Sequence, residues 1–200
     1  MHQAVIFDLG KVLIDFDFER GYRALEGLCP HRAPEIRRRL AGSGLVERFE
    51  TGLIEPRDFV TQLSTVLDLR MEYDHFRRVW SCIFTEPLIP ESMLVNLAAR
   101  YRLVLLSNTN AIHFEMLRER LDFLRHFHHL VLSYKVKAMK PRPEIYRAAI
   151  AAAGCRPEEC FYTDDIARYV EAARRLGIDA VQFESAGQLQ REMTARGIGF

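Results

Sequence analysis

Excess charge of one sign is missing from this chain: 28 Lys and Arg face 27 Asp and Glu, for a formal net charge of +1. That balance offers no field for nucleic acid or a membrane surface, so neither is expected as a partner. Long hydrophobic runs are missing as well, and none approaches the roughly 18 residues a membrane-crossing helix needs. The apolar run Ala4–Phe7 starts so close to Met1 that a secretory leader has no room, which points to the cytoplasm. Cysteine is sparse. Cys29, Cys82, Cys155 and Cys160 form no CxxC pair, which argues for reduced structural thiols rather than zinc ligands. Repeats and low-complexity linkers are absent too.

What is present suits one substantial domain, or a core domain with a modest insertion: 200 residues with an apolar share of 48%. His126, His128 and His129 cluster beside Phe127, and strand alternation would put His126 and His128 on one side. A partly solvated loop is the simpler reading of that cluster.

The most informative residue is Asp8. It follows Ala4-Val5-Ile6-Phe7 and precedes Leu9-Gly10, the pattern of a buried strand delivering an acid to its C-terminal edge. Ligands of open α/β sheets bind at that edge. Taken alone, Asp8 would as easily be a turn cap. Three later segments repeat the pattern. Arg102–Leu106 runs into Ser107-Asn108-Thr109-Asn110, His129–Ser133 leads through a short polar loop to Lys140-Pro141, and Cys160–Tyr162 runs into Thr163-Asp164-Asp165. A carboxylate, a hydroxyl, an ammonium and a carboxylate pair would thus meet at one rim.

Between Phe16 and Phe84 the periodicity is helical and no strand is expected. Helices are predicted from Phe18, over Ala33–Leu40, over Leu45–Glu50, from Pro56 and around Phe76–Ile83, with Pro34 at a first-turn position and Asp74 as a cap. After Pro87 and Pro90 the pattern returns to α/β alternation. Helices are expected at 91–100, 112–121, from Pro143 to Gly154, over Val170–Leu176 and over Gln188–Arg196, with a fifth strand at Asp179–Phe183. The fold class read from this order is α/β: a Rossmann-like parallel sheet with right-handed crossovers and a small helical cap. The expected boundaries are 1–14 and 88–200 for the core and 15–87 for the cap, placed over the active rim.

Phosphate monoester chemistry needs such a set. The dianion must be neutralised and the nucleophile must approach in line. Mg²⁺ between Asp8 and Asp165 would shield a carboxylate nucleophile from the dianion, since a small hard cation prefers oxygen ligands. Lys140 would add a second positive charge. Ser107 and the backbone N–H groups after it would bind phosphoryl oxygens at a helix N-terminus. Capture as an aspartyl-phosphate would split hydrolysis into two steps.

These residues resemble the haloacid dehalogenase-like (HAD) superfamily, in particular its phosphatases with a helical cap after the first strand. The motifs are Phe7-Asp8-Leu9-Gly10-Lys11-Val12-Leu13, Leu106-Ser107-Asn108-Thr109-Asn110, Lys140-Pro141-Arg142-Pro143 and Phe161-Tyr162-Thr163-Asp164-Asp165. They span essentially the whole chain in order. The chain looks most like bacterial sugar-phosphate phosphatases, including the α-glucose-1-phosphate phosphatase type. The resemblance implies Asp8 as nucleophile and Mg²⁺ ligand, the Gly10 carbonyl and Asp165 as further ligands, and Ser107 with the Asn108 amide on phosphate. It implies Lys140 holding Asp8 and the phosphoryl group, with Asp164 supporting Lys140 or the metal's waters.

Two departures stand out. Gly10 takes the place where the commonest motif has a second Asp serving as general acid and base. Tyr169 stands where many relatives have Asn or Asp, with consequences for the residues around the metal. Lys11 is also unusual beside the nucleophile, and an outward-pointing side chain is the simpler reading. In the cap, Asp15, Arg20 and Arg48 are candidates for substrate choice, and Trp80 reads as core packing. The expected substrate is a small phosphorylated metabolite, and either a monomer or a homodimer fits. A metal-independent haloacid dehalogenase, or a silent binding protein on the same fold, is the alternative.

Overall fold

The computed structural model describes residues Met1–Phe200. The chain runs β1 (Ala4–Phe7), β2 (Ile14–Phe16), α1 (Phe18–Glu26), α2 (Ala33–Ser43), α3 (Leu45–Glu50), α4 (Pro56–Leu67), α5 (Tyr73–Trp80) and β3 (Phe84–Pro87). It continues with α6 (Glu91–Ala98), β4 (Arg102–Ser107), α7 (Ala111–Arg120), β5 (His129–Leu132), α8 (Ser133–Val136) and α9 (Pro143–Ala153). The last elements are β6 (Cys160–Asp164), α10 (Ala167–Arg174), β7 (Asp179–Gln182) and α11 (Ala186–Ala195).

The main sheet is parallel, in the order β5-β4-β1-β6-β7. Strand order therefore reverses at β1, and the crevice beyond its C-terminal end is the switch point where open sheets bind ligands. Register brings the chemistry there. Phe7 lies between Leu105 and Thr163, so Asp8, Ser107 and Asp164 all emerge just past that row. The strands are apolar on both faces because both faces are covered. Val5, Phe7, Leu103, Leu105 and Phe161 pack with residues of α6, α7 and α11, whereas Ala4, Ile6, Val104, Leu106 and Tyr162 pack with α9 and α10.

The helical cap has a core of its own. Leu25, Ile36, Phe49, Phe59, Leu63 and Phe76 are buried together, and Phe49 stacks on Phe59 at 4.2 Å between ring centres. Each such side chain contributes about 1.5–3 kcal/mol on burial. Ile112 of α7 joins this cluster, so the cap packs onto the helix that follows the Ser107 loop.

The structure corrects several sequence expectations. The helical block is bordered by two short strands that the periodicity did not reveal; β2 and β3 pair antiparallel, with Ile14 opposite Pro87 and Phe16 opposite Phe84. Three- and four-residue strands are too short to show alternation. Asp74 lies inside the first turn of α5, whose N-cap position is Glu72 without a side-chain cap, and Ile83 belongs to a 3₁₀ turn. Helix α10 begins at Ala167 and ends at Arg174, earlier than the Val170–Leu176 expected. Strand β5 ends at Leu132 and Ser133 opens the short helix α8, so part of the segment expected as a loop before Lys140 is helical. His126 and His128 have separate partners: His126 meets Glu91 at 2.8 Å, and His128 Nδ1 accepts from the Leu103 amide at 3.0 Å. All four cysteines are free. No helix is long and apolar enough to cross a membrane.

Candidate active site

Asp8 lies one residue past β1, with its amide donating to the Thr163 carbonyl at 3.0 Å. Its Oδ1 accepts from the Leu9 amide at 2.7 Å and meets Lys140 Nζ at 2.8 Å. Burial raises the Asp8 carboxyl to about 7; Lys140 opposes that rise and the neighbouring Asp164 charge adds to it. Lys140 is itself buried, which alone would depress it. The carboxylates of Asp164 and Asp8 outweigh that and hold the ammonium above the ordinary lysine range.

The lysine is fixed from three sides. Its Nζ reaches Asp164 Oδ2 at 2.6 Å and the Leu106 carbonyl at 3.3 Å. Its backbone pairs with the Asn108 side chain: Lys140 N donates to Oδ1 at 2.8 Å, and Nδ2 donates to the Lys140 carbonyl at 3.1 Å. The Asn108 carboxamide therefore ties the lysine to the Ser107 loop and is itself engaged. Asp164 is fully engaged, accepting from Lys140, from the Tyr162 hydroxyl and from the Ile166 amide. Asp165 is half-buried, and burial followed by the Asp164 charge raises its carboxyl.

Oxygens of Asp8, Asp164 and Asp165 all lie within 4.8 Å of one another. Three acids this close repel, and one ammonium does not neutralise them. A hard divalent cation with oxygen ligands fits this donor set.

Tyr169 lies beside this network without entering it. Lys140 Nζ sits 5.1 Å from its ring centre and Arg168 stacks at 5.0 Å, while its hydroxyl accepts from Arg168 at 3.3 Å. Lys11 points outward as expected, pairing with Asp15 at 2.5 Å and lying over the Phe16 ring. A Cβ on Gly10 would stand 2.6 Å from Phe16 Cε1, so the ring of Phe16 closes that position to a side chain.

Two connected cavities open from the site. A small cleft of about 70 Å³ is bordered by Gly10, Ser107 and Asn108. It shares Phe18, Glu50, Ile83 and His113 with a larger cavity of about 310 Å³ under the cap, which Tyr22, Arg37 and Trp80 also line. Asp15, Arg20 and Arg48 border neither one. Asp15 is held by Lys11, Arg20 donates to the Cys82 carbonyl at 3.2 Å, and Arg48 meets Gln62 at 3.3 Å. Trp80 does pack in the cap core, against Phe59 and Phe76, but it also lines the cavity and stacks on His113.

His113 was not foreseen. Asn110 Nδ2 donates to its Nδ1 at 3.1 Å, which leaves Nε2–H to donate to the Trp80 carbonyl at 3.0 Å. Burial holds its pKa down at about 4, so the ring is neutral. The Asn110–His113 spacing at a helix start was its only sequence signal.

The sequence pattern of haloacid dehalogenase-like hydrolases matches residues 2–177. The chain belongs to this family. Among similar HAD-like proteins, a D-ribitol-5-phosphate phosphatase of Bacteroides thetaiotaomicron is 25% identical over 97% of this chain and 98% of its own. A phosphorylated carbohydrates phosphatase of Thermotoga maritima is 28% identical over 90% of this chain and 83% of its own. A crystal structure of a HAD family enzyme from B. thetaiotaomicron, in complex with magnesium and inorganic phosphate, superposes with a TM-score of 0.82. It is 28% identical and covers 92% of this chain and 96% of that one.

Proposed function

We propose that this HAD-like hydrolase is a magnesium-dependent phosphatase of small phosphorylated carbohydrates or polyols, acting through an aspartyl-phosphate on Asp8. The carrying observation is the buried constellation at the switch point: Asp8 at 2.8 Å from Lys140, Lys140 at 2.6 Å from Asp164, and Asp165 beside them. Folding alone does not require it. Leaving such groups unpaired in a core is costly.

Asp8, the Gly10 carbonyl and Asp165 would hold the ion. When bound, magnesium supplies the positive charge that lets a carboxylate approach a phosphate dianion. The free oxygen of Asp8 attacks phosphorus as the ester bond opposite it breaks. Lys140 keeps the carboxylate in line and neutralises phosphoryl charge, and Asp164 keeps Lys140 in place. Ser107 Oγ, whose one hydrogen bond is a long 3.4 Å donation to the Asn108 carbonyl, is free to donate instead to a phosphoryl oxygen, together with the Asn108 amide. Water then cleaves the acyl phosphate and frees Asp8.

The substrate class is supported by the cavity and by the relatives' activities. Tyr22, Trp80 and Phe18 offer apolar faces for a carbon skeleton, while Arg37 and Glu47 offer partners for hydroxyl groups. A haloacid dehalogenase has no use for three clustered acids. We take residues 15–87 as the cap, 1–14 and 88–200 as the core, and the cytoplasm as the setting of a monomer or homodimer. Phosphate release from a panel of sugar and polyol phosphates tests the reading. Turnover must require Mg²⁺ and vanish in Asp8→Asn; turnover in EDTA would refute it.

A further inference from the structure

The aspartyl-phosphate reading leaves one role unfilled: a group that protonates the leaving oxygen and then deprotonates water. Position 10 cannot supply it. Glycine carries no proton there, and the Phe16 ring excludes a larger residue. Phe16 is held in turn by edge contacts with Phe18 at 5.0 Å and Phe84 at 6.2 Å.

The cleft walls narrow the choice. His113 has both ring nitrogens committed, to Asn110 and to the Trp80 carbonyl. Asp164 already accepts three hydrogen bonds. Asp15 lies outside the cleft, paired with Lys11. Glu50 remains. It borders the cleft together with Gly10, Ser107 and Asn108, and it also borders the groove that contains Lys140 and Tyr169.

Its placement is built rather than incidental. Glu50 ends α3, and its carbonyl lies 2.6 Å from the Ser133 hydroxyl. The same hydroxyl accepts from the Thr109 amide at 2.9 Å, which ties Glu50 to the Ser107 loop through one atom. Gly52 follows with φ of +62°, and a Cβ there would stand 2.1 Å from the Tyr134 carbonyl. Lys137 donates to the Gly52 carbonyl from the core side. The turn after α3 is thus the point where the cap is fastened to the core, and it carries Glu50 with it.

We infer that Glu50, delivered from the cap, is the general acid and base of the reaction in place of the residue missing at position 10. This rests on the aspartyl-phosphate reading. In the first step the Glu50 carboxyl gives its proton to the ester oxygen as the phosphorus–oxygen bond breaks and the bond to Asp8 forms. In the second, the Glu50 carboxylate takes a proton from water as that oxygen bonds to phosphorus and the bond to Asp8 breaks. Proton and catalyst are both restored.

Burial, and then the charge of Glu47 on the same helix, raise the Glu50 carboxyl to about 7, where it gives and takes a proton with equal ease. Arg37 and Tyr22 face it across the cap cavity, with neutral His113 from α7. Lys140, Arg142, Arg168 and Tyr169 face it across the groove. None of the cations bonds to it.

The test is Glu50→Gln with two classes of phosphoester. With alkyl phosphates, whose leaving oxygen needs a proton, kcat should fall by about 10²–10⁴-fold. With p-nitrophenyl phosphate, whose leaving group needs none, a burst of one nitrophenolate per enzyme should survive while steady turnover drops. Wild-type kcat on alkyl phosphates should bend near pH 7, and Glu50→Gln should change that bend. A Glu50→Gln protein with unchanged kcat, or with only KM raised for both classes, would overturn the assignment. Full turnover by Asp8→Asn would instead overturn the underlying reading, so the two failures are distinct. Should Glu50→Gln fold poorly, Glu50→Asp takes its place: wild-type kcat on alkyl phosphates with an unshifted pH profile sinks the role.

Discussion

The ring of Phe16 occupies the volume a side chain on Gly10 would need, with 2.6 Å between Phe16 Cε1 and the position of a Cβ. Glycine at that point is thus a packing requirement of the β2–β3 ribbon as well as a catalytic departure. Gly10→Ala should destabilise the protein by about 1–3 kcal/mol, the usual range for overpacking. Most of that loss should disappear when Phe16→Ala is added. Urea unfolding of the two single variants and the double variant measures the coupling, and additive losses would contradict it.

Lys140 carries the electrostatics of the site. Removing it in Lys140→Ala leaves Asp8 and Asp164 facing each other in a buried place, with no cation between them. Breaking a buried pair this way costs about 3–5 kcal/mol. Activity should be lost, and the thermal midpoint should drop more than in Lys140→Ala/Asp164→Asn, where one of the two charges is also gone.

Buried His113 and half-buried Glu50 set opposing pH trends in stability. His113 is depressed from 6.5 to about 4, so the unfolded chain binds its proton more readily. Its contribution is complete above about pH 6.5 and is lost as pH falls towards 4. Glu50 is raised from 4.5 to about 7, so its contribution is complete below about pH 4.5 and is lost as pH rises through 7. Denaturation midpoints from pH 4 to 8 should therefore flatten on the acid side in His113→Gln. In Glu50→Gln they should flatten on the neutral side, with higher relative stability at pH 8. Curves parallel to wild type would refute these environments.

Tyr169 supports Lys140 through its ring, since its hydroxyl contacts only Arg168. Tyr169→Phe should keep activity within a few-fold of wild type. Tyr169→Ala should lower kcat/KM by up to about 30-fold, matching roughly 2 kcal/mol for a desolvated cation–π contact. Equal losses in both variants would assign the effect to the hydroxyl instead.

Much of the core site was legible in the sequence because most of its residues follow a short apolar run. Asp8, Ser107 and Asp164 stand directly at strand ends, and parallel pairing necessarily gathers strand ends on one rim. Lys140 was legible through its motif. The cap was not legible in the same way. Asp15, Arg20 and Arg48 lie near the first strand or Gly52 in sequence, yet each finds a partner away from the cavity. Glu50, Arg37 and His113 reach the cavity through helix packing between distant segments, which local periodicity does not encode. The contact between Gly10 and Phe16 depends on a three-residue strand, and no alternation pattern fits in so short a run.

The central claim is a phosphoryl group carried covalently by Asp8, and mass spectrometry of acid-quenched enzyme tests it most directly. Protein mixed with substrate and Mg²⁺ should show the added mass of one phosphoryl group on the peptide containing Asp8. The adduct should be absent in EDTA and in Asp8→Asn. Steady phosphate release with no adduct on that peptide at any quench time, or with the adduct on another residue, would contradict the account.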